Sequence, residues 1–208
     1  VVDCAMGEVV SQYTRNGKTL KNFTKITQFL KSKALETQPE AMVLDGEIVS
    51  SSFQDLLKQV QRKSDVQADD AVLQLFDIIP LSEFKQGKSV LNQQKRHAML
   101  KEYSKMFDGF DNIQVIDKVD CDLDSEAGQQ QFKDFNKEAI DQGYEGIMIK
   151  DPEALYECKR STAWLKQEPF IEVSLEIKHV EEGTGQNEGK LGAFVCEGVD
   201  DGKTINVN

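Results

Sequence analysis

Apolar and polar positions along the chain alternate between two periods, and the switches between them predict a mixed α+β fold. Val43, Leu44, Ile48 and Val49 flank Asp45-Gly46-Glu47, a β-rich run that predicts a strand over residues 41–50. Ala71 to Pro80 is nearly all apolar, as a central strand closed by proline should be. Further strands are expected over residues 1–11, Ile113–Val119 and Glu145–Lys150. Helical spacing appears in Gln54–Lys63, with Leu56, Leu57 and Val60 inward and a basic outer face. It reappears in Leu91–Met106, with Leu91, Ala98, Leu100 and Tyr103 inward, and in Ser125–Gln142, with Phe132, Phe135, Ala139 and Ile140 inward. Ser125 is a candidate N-cap for the last of these, and Gly143 its stop.

The texture changes after Pro169. Ile171, Val173, Leu175 and Ile177 alternate with polar residues, a polar glycine-rich loop spans 181–189, and short strands are expected over 191–197 and 204–207 around the turn Asp200-Asp201-Gly202. About 30 residues do not close a barrel of five strands, so this tail reads as the beginning of a small β domain.

Composition narrows the class. Hydrophobic residues are 39% and charged residues 29% of 208 residues, a globular balance. No apolar run reaches membrane-spanning length, and the four cysteines form no CxxC pair, so reduced thiols in a cytoplasm-like compartment are expected. The net charge of -11 argues against an extended nucleic-acid surface but not against local basic clusters such as Lys58, Arg62 and Lys63, or Lys159, Arg160 and Lys166. His97 and His179 have no metal-ligand spacing and belong to no nucleophilic triad.

Five short motifs occur in order: Thr14-Arg15-Asn16-Gly17-Lys18, Asp45-Gly46-Glu47, Leu75-Phe76-Asp77, Glu145-Gly146-Ile147-Met148-Ile149-Lys150 and Trp164-Leu165-Lys166. Their order and spacing resemble the ATP-dependent DNA ligases, most closely the phage type, within the covalent nucleotidyltransferases. The resemblance covers nearly the whole chain. It implies an ATP-grasp-like nucleotidyltransferase (adenylation) domain over residues 1–173 and the start of an OB-fold β-barrel domain over 174–208. The implied reaction transfers AMP from ATP to an enzyme lysine, then to the 5′-phosphate of a nick, from which the 3′-hydroxyl displaces it. Positioning and charge neutralisation supply most of the catalysis in such transfers.

Each motif residue then has an implied task. Glu145 helps hold a divalent metal, Mg²⁺, which prefers oxygen ligands. Glu47 contacts the nucleotide or the metal environment. Lys150 and Lys166 sit against the α-phosphate, Phe76 stacks on adenine, and Arg15 touches the nucleotide or the nick phosphate. The resemblance further implies a monomer acting on nicked double-stranded DNA in replication, repair or recombination, in the cytoplasm of a phage-infected bacterial host. Alternatives are a non-catalytic module that binds nucleotide or nicked DNA, and an RNA ligase or capping-type nucleotidyltransferase.

Two departures from the family pattern bear on activity. No lysine in the chain is followed by x-Asp-Gly, the pattern of the family nucleophile, so the chain is expected to begin just after that residue and not to form lysyl-AMP. The second lysine of the last motif is replaced by Glu168, which would repel a triphosphate that an ammonium would attract.

Overall fold

A computed structural model describes residues 11–37, 40–50, 67–169, 173–199 and 203–207. The strand expected over 1–11 up to residue 10, the basic helix expected over 54–63 and the turn expected at 200–202 lie outside the described residues. The chain divides into two compact units, residues 1–167 and 168–208.

The first unit is α+β. A short hairpin of β1 (Gln12–Tyr13) and β2 (Thr19–Leu20) leads into helix α1 (Thr24–Thr37). Gln12 ties hairpin to helix by donating to the Thr27 hydroxyl at 2.8 Å. The central sheet has the order β3-β4-β6, with β3 (Met42–Val49) antiparallel to β4 (Val72–Pro80), and β6 (Ile113–Val115) parallel to β4. Met42, Leu75, Ile78 and Ile113 from this sheet join Phe23, Ile26 and Leu30 near α1, and Leu100, Tyr103 and Phe107, in one buried cluster.

Helix α2 (Leu81–Lys85) and strand β5 (Lys88–Asn92) precede helix α3 (Gln93–Ser104), which Asn92 caps by accepting from the Lys95 amide at 3.0 Å. The helix predicted over 91–106 is thus shorter at its start, because Leu91 is taken into β5, which pairs with β8 (Leu155–Glu157). Its inward face also differs. Ala98 is exposed, and Gln93, Arg96, His97, Leu100 and Tyr103 are buried, an i, i+3, i+4, i+7 pattern carried partly by polar residues.

The predicted strand over 113–119 stops at Val115. Phe76 is an extra residue in β4 between the pairs Asp45↔Asp77 and Gly46↔Leu75, and parallel pairing with β6 ends where this bulge begins. Helix α4 (Glu126–Asp141) matches expectation: the Ser125 hydroxyl accepts from Gly128 at 3.0 Å, and the chain leaves the helix through Gly143 at φ +88°. It delivers the chain to β7 (Ile147–Lys150), which pairs antiparallel with β9 (Trp164–Gln167).

The second unit is an antiparallel sheet of β10 (Leu175–Glu182), β11 (Leu191–Gly198) and β12 (Thr204–Val207). Its described buried residues, Ala193, Val195 and Cys196, lie on the central strand.

Candidate nucleotide site

Asp45 and Glu47 alternate along β3 with Leu44 and Ile48, which pack on the core, so both carboxylates leave the sheet on the side away from that cluster. Gly46 separates them because nothing larger fits: a Cβ there would lie 2.5 Å from the Gln74 carbonyl oxygen. Asp45 faces Asp77 across the ladder. Two facing carboxylates need cations or donors, and each has one. Asp77, fully buried, receives a bidentate fork from Arg96 (Nε to Oδ1 2.8 Å, Nη2 to Oδ2 3.1 Å) and its neighbour's amide, Ile78 N, at 2.9 Å. Asp45 Oδ2 accepts from the Tyr156 hydroxyl at 2.7 Å.

Arg96 also donates through Nη1 to the carbonyls of Leu91 (2.6 Å) and Ala154 (3.3 Å), tying β4 to the segment that leads into β8. The Tyr156 ring centroid lies 5.6 Å from the guanidinium carbon, and the ring meets the Trp164 ring edge-to-face at 5.8 Å.

Lys150 is the cation next to this network. It faces Trp164 across the β7–β9 ladder, and its Nζ lies 3.8 Å from the Trp164 ring and 4.9 Å from the Phe76 ring while donating to the Phe76 carbonyl at 3.2 Å. Phe76 and Trp164 meet edge-to-face at 5.9 Å. Burial pulls the Lys150 ammonium down to about 8, against the upward pull of Asp77 and Asp45. Burial pushes the Asp45 carboxyl above its ordinary value, partly offset by the Tyr156 hydrogen bond, and it pushes the Tyr156 hydroxyl well up.

Two residues along the same ladder, Lys166 faces Met148 and forms an ion pair with Glu145 at 2.7 Å. Glu145 is 82% exposed here, and the hydrogen bond from Lys166 holds its carboxyl below the ordinary value. Lys150 and Lys166 share one face of the two-stranded sheet, since residues two apart on a strand point the same way.

Of the residues singled out in the sequence, Lys150 and Phe76 touch, and Lys166 and Glu145 touch. Glu47, exposed, lies across from Gln74, whose amide reaches the Tyr144 hydroxyl next to Glu145 at 3.5 Å. Arg15 sits exposed in the β1–β2 turn, and no described contact joins it to the others. Glu168 is the first residue of the second unit. Asp45, Asp77, Arg96 and Tyr156 carry the buried part of the site, yet the sequence reading assigned none of them a role. A charged residue inside an apolar run, as in Val43-Leu44-Asp45 and Phe76-Asp77-Ile78, is the signal that would have found two of them.

Among the described residues no three acidic, histidine or cysteine side chains cluster. One or two carboxylates completed by substrate phosphates is the usual arrangement for Mg²⁺, and the exposed Glu145 fits such a shared site.

A family model, the ATP dependent DNA ligase domain, matches residues 2–167, and the chain belongs to that family. It is 28% identical over 216 residues to a DNA ligase of Methanococcoides burtonii, covering 96% of this chain and 36% of the relative. It is 32% identical over 176 residues to a DNA ligase of Natronomonas pharaonis, covering 77% of this chain and 29% of the relative. The solved structure named Pmar-Lig_Pre superposes with a TM-score of 0.85 at 44% identity, over 95% of this chain and 46% of that one. The ATP-dependent DNA ligase from bacteriophage T7, solved in complex with ATP, shares the fold with a TM-score of 0.59 at 20% identity, over 100% of this chain and 69% of that one. The chain therefore spans about a third of the length of these curated relatives and about half of the solved protein Pmar-Lig_Pre.

Proposed function

We propose that this chain carries the nucleotide-binding core of an enzyme that seals nicks in duplex DNA with ATP, through enzyme-AMP and DNA-adenylate intermediates. The observation that supports it best is the β7–β9 ladder, which sets two lysines on one face, one against an aromatic wall and one against an exposed carboxylate. Phe76 supplies a π-face for adenine beside Lys150. Lys150 and Lys166 neutralise the α-phosphate as charge builds there, Glu47 contacts the nucleotide, and Arg15 binds nucleotide or nick phosphate. Glu145 would help hold Mg²⁺, which when bound would draw charge from the phosphate oxygens.

On this reading residues 1–173 are the adenylation domain and 174–208 open an OB-fold domain. The protein works as a monomer on nicked DNA in replication, repair or recombination, in a cytoplasm such as that of a phage-infected cell. Free cysteines at positions 121, 158 and 196 agree with a reducing compartment.

Trp164, the only tryptophan, reports on the site directly. Titrating the 208-residue chain with ATP and Mg²⁺ should give a saturable change in Trp164 fluorescence. It should give no covalent label from radioactive ATP, because no lysine here precedes x-Asp-Gly. Unchanged fluorescence at millimolar ATP would contradict the reading.

A further inference from the structure

Two carboxylates, Asp45 and Asp77, act electrostatically on the Lys150 ammonium. Among the described residues neither forms a contact ion pair with it. The reason is visible in the geometry. Both Asp77 oxygens are engaged by the Arg96 fork, and the Tyr156 hydroxyl holds the Asp45 carboxylate through its Oδ2. A half-buried ammonium beside carboxylates ordinarily closes onto one of them, because charge-assisted hydrogen bonds are the strong ones. Here it rests instead against two aromatic rings and one carbonyl, contacts weak enough to be exchanged for a phosphate.

We propose that Tyr156 is a positioning residue: by holding the Asp45 carboxylate in place it keeps that group from capturing Lys150, and so leaves the ammonium available to an incoming phosphate. Tyr156 lies on β8, between the segments 145–150 and 164–166. Its hydroxyl is the sole part needed for this task. The ring has a separate one, packing near the Arg96 guanidinium and against Trp164, and the substitution Tyr156→Phe preserves that packing.

The groups that bear on Lys150 are Asp45 on β3, Asp77 on β4, Arg96 and His97 on α3, Lys118 after β6, and Tyr156 through Asp45. Only the Asp45–Tyr156 pair is altered by removing one hydroxyl. Removing it takes one donor from the Asp45 carboxylate and frees it to turn toward Lys150, on which it already acts electrostatically. The ion pair that forms favours the charged lysine.

The test follows the ε-carbon resonance of Lys150, assigned with Lys150→Arg, through a pH titration of the isotopically labelled 208-residue chain, alongside ATP affinity from Trp164 fluorescence. In Tyr156→Phe the Lys150 midpoint should rise from about 8 toward the ordinary lysine range near 10, while ATP affinity falls about tenfold. In Asp45→Asn the midpoint should move the other way, and adding Tyr156→Phe to it should change the midpoint no further. An unchanged or lowered midpoint in Tyr156→Phe would overturn the proposal; a lowered one would mean that Asp45 takes up a proton instead of Lys150. The proposal rests on the nucleotide-site reading for its functional meaning. If the native chain binds no ATP, that reading fails by itself, while the lysine titration still decides whether Tyr156 shields Asp45.

Discussion

The two lysines on the β7–β9 ladder occupy opposite electrical settings although they stand two residues apart on one sheet face. Lys150 lies at the buried end, between aromatic rings and near two carboxylates already engaged elsewhere, and burial lowers its proton affinity. Lys166 lies at the open end in a solvent-exposed ion pair with Glu145. The buried end is held by a network that cannot be relaxed cheaply; the open end rests on contacts worth little to the fold. A ladder built this way holds one cation in place and lets the other exchange partners, as a site that must grip and then release a charged group requires.

Breaking the foundation of the buried end should have the largest effect. Arg96→Leu leaves Asp77 charged and unpaired at a fully buried position, and should lower stability by about 3–5 kcal/mol, measured by urea denaturation. Gly46→Ala drives a methyl into the Gln74 carbonyl oxygen and should cost about 1–3 kcal/mol while displacing Asp45 and Glu47.

Lys150→Met separates stability from function. The folded-state value of Lys150, about 8, lies below its ordinary 10.5, so at neutral pH the folded state carries a charge it disfavours. Removing that charge should stabilise the fold at pH 7 by up to about 2 kcal/mol. The gain should shrink as pH rises from about 8 to 10.5, where the native lysine sheds its proton on folding. The same variant should bind ATP at least about tenfold more weakly. The smallest effect belongs to the open end: Glu145→Gln should leave the melting temperature unchanged, because its ion pair is screened by solvent.

The same contrast explains how far the sequence could be read. The strands around Asp45 and through Phe76, and α4 with its Ser125 cap and Gly143 stop, were legible because their signals are local. The motif residues at the open end, Glu145 and Lys166, were singled out through the family likeness, and the structure pairs them. Helix α1 went unread although Ile26, Phe29 and Leu30 have helical spacing, since threonines and lysines interrupt it. Strands β5 and β8 are short and joined to each other only across more than sixty residues, a pairing no local pattern encodes. Arg96 was hidden for a physical reason: charge is ordinarily written off as an outward face, and it points inward here only because Asp77, 19 residues away in sequence, meets it.

The central claim is that the Lys150 ammonium receives the nucleotide's phosphate, and the pH dependence of ATP affinity tests it most directly. Measured between about pH 6.5 and 9.5, affinity of the native chain should weaken as pH passes the Lys150 midpoint, and Lys150→Met should bind weakly with no such inflection. An identical pH profile in the two proteins would contradict the account.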